Sequence, residues 1–96
     1  MDIEIFRASL DGDSPPAGLS QALCALWWDG KGDWDAAHRA AQAQGDAVGA
    51  WAHAYLHRKE GDLANAGYWY QRAGKPPATG PLESEWQAIL TALLRP

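Results

Sequence analysis

The sequence has little of what disulfide-bonded, β-sheet or membrane-spanning proteins require. Cys24 is the only cysteine among 96 residues, so no disulfide can form within the chain. β-Branched residues are few whereas 19 residues are alanine, and this balance favours helices over a sheet. No long apolar run is present, and the acidic start "MDIEIF" lacks the positive charge of a secretory signal. These absences predict a cytoplasmic protein built from helices.

An excess of positive charge is also missing. The chain has 8 lysine and arginine residues against 12 aspartate and glutamate residues, for a formal net charge of −4. Nucleic acids and anionic membranes are bound through clustered lysine and arginine, and the chain contains no basic block. We therefore expect neither nucleic acid nor a membrane among its partners.

Motifs that carry enzyme chemistry are absent as well. The sequence has no recognisable nucleophile–base pair with an orienting acid, no glycine-rich phosphate loop and no dinucleotide-binding fingerprint. These absences argue against an enzyme without excluding one. They also predict that the protein uses no cofactor.

Large aromatic residues and regularly spaced helix boundaries dominate what is present. Six tryptophans, three tyrosines and one phenylalanine supply bulky apolar groups for a small core. Apolar periodicity and glycine or proline breaks predict helices over about 19–29, 34–44, 47–59, 63–73 and 82–94. Residues 1–10 fit either a strand or a short helical turn, and the lack of a partner strand favours the turn.

The predicted fold is all-α and forms a single domain over residues 1–96. Short connections between successive helices force antiparallel neighbours, which gives two helical hairpins and a C-terminal capping helix, about five helices in all. The predicted parts are an N-terminal segment (1–16), a first hairpin (17–44), a second hairpin (46–74) and a closing helix (81–95).

The two hairpins share a repeated hinge. "GDWDAAHRAAQ" at 32–42 aligns with "GDLANAGYWYQ" at 61–71, an offset of 29 residues. In each copy the glycine ends one helix in a left-handed conformation, and the aspartate caps the free N–H groups of the next. A repeat in this size range indicates stacked helical hairpins.

The second copy resembles a known repeat family. The pattern W-x2-AYL-x4-GDL-x2-A-x3-Y-x2-A-x2-P, from Trp51 to Pro76, is similar to a tetratricopeptide repeat, although its period is shorter. The run from Ala54 to Pro76 also resembles small bacterial proteins of unassigned activity. The tetratricopeptide resemblance implies a module that binds a protein or peptide, or that self-associates as a homodimer.

One face of the 63–73 helix has the composition of a recognition surface. Leu63, Ala66, Tyr70 and Ala73 fall on one stripe, which we expect in the core. The opposite stripe carries aromatic, amide and guanidinium groups, and tryptophan and arginine are frequent anchors at protein interfaces. The predicted binding residues are His53, His57, Arg58, Asn65, Tyr68, Trp69 and Arg72. Alternatively, the closing helix covers these aromatics, with Arg72 lying over a ring.

A different function is suggested by the histidines of the 47–59 helix. His53 and His57 are four residues apart and share a helix face, so both imidazoles can reach one metal ion. Glu60 is the third ligand that the local sequence offers. The alternative prediction is therefore a protein, including an enzyme, that binds a metal or a small molecule. A third prediction is a purely structural assembly unit.

Overall fold

Helices form all the regular secondary structure that the computed structural model shows for residues 1–94, the part of the chain it describes. They are α1 (Ile3–Ser9), α2 (Gln21–Gly30), α3 (Trp34–Gln42), α4 (Ala47–Glu60), α5 (Leu63–Ala73) and α6 (Leu82–Leu93). The described residues contain no strand, so the predicted all-α fold of helical hairpins is confirmed. The last residue of the predicted closing segment, residue 95, lies outside the described residues.

The N-terminal segment is a helix that contributes to the core. The Asp2 side chain accepts a hydrogen bond from the Ile5 backbone N–H at 2.8 Å, which caps α1. Phe6 is fully buried and meets the Trp86 ring edge-on, with 5.9 Å between ring centroids. The predicted short helical turn is therefore a complete helix, which contacts α6 through this aromatic pair and through the Arg7–Glu83 ion pair.

The repeated hinge has the backbone conformation that the sequence predicts. Gly32 and Gly61 have φ values of +84° and +89°, in the left-handed region that only glycine adopts without strain. Asp33 then accepts a hydrogen bond from the Ala36 N–H at 3.0 Å, and Asp62 accepts one from the Asn65 N–H at 3.2 Å. The same two-residue device thus begins α3 and α5.

Replacing Asp62 with alanine is expected to lower the free energy of unfolding by about 1 kcal/mol, because the first turn of α5 loses its side-chain acceptor. Asp62→Asn keeps an acceptor oxygen, so its free energy of unfolding should differ from that of the wild type by only about a few tenths of a kcal/mol. Urea unfolding followed by far-UV circular dichroism measures both. Equal losses in the two variants would contradict the role of the cap bond.

The two hairpins stack through α3 and α4, and their core combines aliphatic side chains with the buried indole rings of Trp27 and Trp86. Trp27 is fully buried while its neighbour Trp28 is half-buried, as expected for adjacent positions roughly 100° apart on a helix. The Trp27 indole N–H donates to the Ser9 hydroxyl at 3.0 Å, and the Trp86 indole N–H donates to the Leu26 carbonyl at 3.0 Å. Both buried indole N–H groups therefore have a hydrogen-bond acceptor.

The closing helix does not cover Tyr68 and Trp69 of α5, which was the alternative prediction. Helix α6 packs against α1, α2 and α4 and leaves the outer face of α5 uncovered. Leu63, predicted in the core, is 68% exposed. Its counterpart in the repeat, Trp34, is half-buried because α4 follows and packs on α3. Within residues 1–94, the helix that follows α5 is α6, and it packs on α1, α2 and α4. Within residues 1–94, no helix combines the length and hydrophobicity that a membrane crossing needs.

Candidate functional site

The three histidines of the chain converge between α3 and α4. His38 lies in the middle of α3, and His53 and His57 lie one turn apart on the face of α4 that packs against it. The Nε2 atoms of His38 and His53 are 2.9 Å apart. Each of the three residues offers a nitrogen atom, and these nitrogens all lie within 4.8 Å of one another. We call these three residues the histidine cluster.

Two tryptophans flank the histidine cluster. The Trp34 ring stacks on His38, with 4.8 Å between centroids and 12° between planes. The Trp69 ring stacks on His53 at 4.0 Å and 21°. His53 and His57 are only 4% and 6% exposed, so the cluster is largely shielded from water.

Burial favours the neutral form of two of the three imidazoles, those of His38 and His53. It lowers the pKa of His53 to about 4, with repulsion from His38 and His57 as the smaller causes. Burial also lowers the pKa of His38, and His57 adds to that effect, whereas the nearby carboxylates of Glu60 and Asp35 partly oppose it. Both imidazoles are therefore neutral at pH 7 and can act as acceptors or ligands.

Glu60 supports the cluster instead of joining His53 as a ligand. Its Oε1 atom lies 2.7 Å from Nδ1 of His57, a contact between a side chain at the helix end and one a turn earlier. Among the described residues, the side chain that completes a close trio with His53 and His57 is His38, whereas the predicted third residue is Glu60. His38 is distant in sequence, and only the packing of α3 on α4 reveals it.

The polar-aromatic stripe of α5 faces solvent. Tyr68 is 52% exposed, Arg72 is exposed, and Asn65 and Trp69 are half-buried. The Arg72 guanidinium donates to the Tyr68 hydroxyl at 3.0 Å and lies 5.7 Å and 5.3 Å from the ring centroids of Tyr68 and Trp69. Arg72 does lie over aromatic rings, as the alternative prediction stated, but the closing helix does not cover them.

A cavity of about 310 Å³ opens beside this stripe. His53, Trp69 and Arg72 form one side, and the segment 41–50, which contains the turn between α3 and α4, forms the other. Three of the seven predicted binding residues are thus brought together at one cavity. The other four, His57, Arg58, Asn65 and Tyr68, are not among the residues that line it.

Arg58 has a different environment from the one predicted. Its Nη1 atom donates to Glu85 Oε1 of α6 at 2.9 Å, and its Nη2 atom donates to the Gly80 carbonyl. Both side chains of the Arg58–Glu85 ion pair are largely buried. Arg58 therefore fastens α6 to α4, and its guanidinium is already occupied within the fold.

Fold and site together define a helical-hairpin protein with a buried histidine cluster beside an open cavity. Comparison with protein-family models, curated proteins and solved structures finds no match to this chain. The resemblance to tetratricopeptide repeats and to small bacterial proteins stays a prediction.

Proposed function

We propose that this protein is a binding module whose cavity receives a peptide segment of a partner protein. The observation that carries the proposal is the exposure of the α5 stripe: Tyr68, Trp69 and Arg72 stand beside the cavity, and no other element of the described chain lies over them. Tryptophan, tyrosine and arginine are the residue types that most often anchor protein interfaces. A tetratricopeptide-like hairpin stack in the cytoplasm is the setting that we propose for this module.

The charge and shape of the cavity select the kind of segment. Within residues 1–94, no carboxylate lies within ion-pairing distance of the Arg72 guanidinium, which the two aromatic rings hold in place. The opposite wall includes Ala47, Gly49 and Ala50. It also carries the Asp46 carboxylate, which already accepts hydrogen bonds from the Gly49 N–H and the Gln44 side-chain amide. The cavity therefore suits a segment with an acidic side chain next to a small apolar one.

Selection from a random 12-residue peptide display library tests the proposal. We expect enriched peptides to pair aspartate or glutamate with a neighbouring aliphatic residue. Arg72→Glu should weaken binding of a synthetic enriched peptide about 10- to 100-fold, because a charge-assisted hydrogen bond becomes a repulsion. Arg39→Glu is the matched control, since Arg39 is an exposed arginine of α3 outside the cavity lining.

Two outcomes would contradict the proposal. One is a library that yields no enriched sequence. The other is a set of peptides that bind the Arg72→Glu and wild-type proteins equally. Sedimentation of the wild type at several concentrations tests for a homodimer. If a dimer forms and Arg72→Glu dissociates it, the occupant of the cavity is a second copy of the chain and not a peptide segment of another protein.

A further inference from the structure

We propose that His38, His53 and His57 form a binding site for a divalent transition-metal ion of the zinc type, with Glu60 as the positioning residue of His57. This inference rests on observations other than those behind the peptide-binding proposal, because it concerns the interior of the α3–α4 interface, although His53 belongs to both sites.

The spacing of the nitrogens fits a metal ion closely. Zinc–imidazole bonds of about 2.0–2.1 Å at tetrahedral angles place two ligand nitrogens roughly 3.3 Å apart. The His38 and His53 Nε2 atoms are 2.9 Å apart, and the ligand nitrogens of all three residues lie within 4.8 Å of one another. Small side-chain rotations therefore bring the three nitrogens onto one ion, without movement of either helix.

Glu60 prepares His57 for ligation. A carboxylate only accepts hydrogen bonds, so the Nδ1–H group of His57 is the donor in the 2.7 Å hydrogen bond to Glu60 Oε1. In the neutral ring this leaves a lone pair on Nε2. Carboxylate–histidine pairs of this kind fix the tautomer and increase the basicity of metal-binding imidazoles.

The imidazole ligands and the residues around them determine which metal ions the site favours. Three imidazole ligands suit zinc, cobalt, nickel or copper, whereas calcium and magnesium prefer oxygen ligands. The Glu60 and Asp35 carboxylates lie near enough to influence His38, so they partly balance the ion's charge. Trp34 and Trp69 shield the ring faces, and three protein ligands leave one tetrahedral position for water or another ligand.

Titration of the tag-free protein with Zn²⁺, and with Co²⁺ as a spectroscopic probe, tests the site. We expect one ion per chain, a tetrahedral Co²⁺ absorption spectrum, and a rise in melting temperature of about 10 °C or more once free Zn²⁺ exceeds the dissociation constant 100-fold. His38→Ala should weaken binding at least about 100-fold, and Glu60→Gln about 10- to 100-fold. Arg39→Ala, a substitution next to His38 on α3, should change neither the metal affinity nor the rise in melting temperature.

A competing arrangement is excluded by one further variant. His57, Glu60 and Asp62 also lie within reach of a common ion, although Glu60 and Asp62 are exposed. Asp62→Asn removes that carboxylate and keeps a capping oxygen. Binding that survives Asp62→Asn and is lost in His38→Ala supports the histidine site, and the reverse pattern overturns it.

Two further results would overturn the proposal. One is a wild-type protein that binds neither ion at micromolar concentrations. The other is a Co²⁺ complex with an octahedral spectrum, which three clustered imidazoles in a closed site do not favour. If circular dichroism shows that His38→Ala does not fold, the Co²⁺ spectrum of the wild type and the titration of Glu60→Gln test the site instead. Glu60→Gln is expected to fold, because Glu60 lies at the exposed end of α4.

Discussion

Replacing Glu85 with alanine is expected to lower the free energy of unfolding by about 3–5 kcal/mol, one of the two largest effects that the structure predicts. Glu85 is only 7% exposed. Its Oε1 atom pairs with Arg58 of α4 at 2.9 Å, and its Oε2 atom accepts from the Tyr70 hydroxyl of α5 at 2.5 Å. Without the carboxylate, the Tyr70 hydroxyl loses its acceptor and the buried Arg58 guanidinium loses its counter-charge, keeping only its bond to the Gly80 carbonyl.

Glu83→Ala is the matched control on the same helix. Glu83 also pairs with an arginine, at 2.6 Å from Arg7 Nη2, but both side chains are well exposed. An ion pair in solvent contributes roughly 0–1 kcal/mol, so its loss should be small. Urea unfolding of both variants measures the difference, and similar losses would contradict the anchoring role of Glu85.

The second large effect concerns Gly49, in the first turn of α4. A Cβ atom at this position would lie 1.8 Å from the backbone carbonyl oxygen of Gln44, closer than any real contact. Helix and turn must separate, at a cost typical of overpacking, about 1–3 kcal/mol or more. Alanine's better helix propensity returns only about 0.5–1 kcal/mol. We therefore expect Gly49→Ala to destabilise the protein by about 1–2 kcal/mol.

Gly67→Ala supplies the opposite result for the same chemical change. Gly67 lies inside α5, and a Cβ atom there would meet nothing within 4 Å. Alanine should therefore stabilise the protein by roughly 0.5–1 kcal/mol. Thermal and urea unfolding compare the two variants, and a neutral Gly49→Ala would show that the turn around Gln44 moves freely. Such freedom would also weaken the peptide proposal, because that turn forms one wall of the cavity.

The two proposed sites are neighbours that share residues. His53 belongs to the histidine cluster and also lines the cavity, and Trp69 stacks on it from α5. A metal ion in the cluster would therefore hold the cavity wall in place. Peptide affinity measured with and without Zn²⁺ gives the size of this coupling as a ratio of dissociation constants.

Local sequence determined the helices. The caps at Asp33, Asp46 and Asp62 and the left-handed Gly61 act within one turn, and each predicted helix from residue 19 onwards is present with its ends shifted by two residues or fewer. Such signals are readable because their partners are three or four positions away in the chain.

Only the tertiary structure decided what the helices face. The placement of α6 leaves the α5 stripe open, exposes Leu63 and buries Glu85, although the acidic residues near the start of α6 look alike in sequence. The packing of α3 on α4 adds His38 to His53 and His57. These outcomes depend on contacts between residues 15 or more positions apart. No capping or periodicity rule spans that distance, because helix packing is set by the fit of whole surfaces.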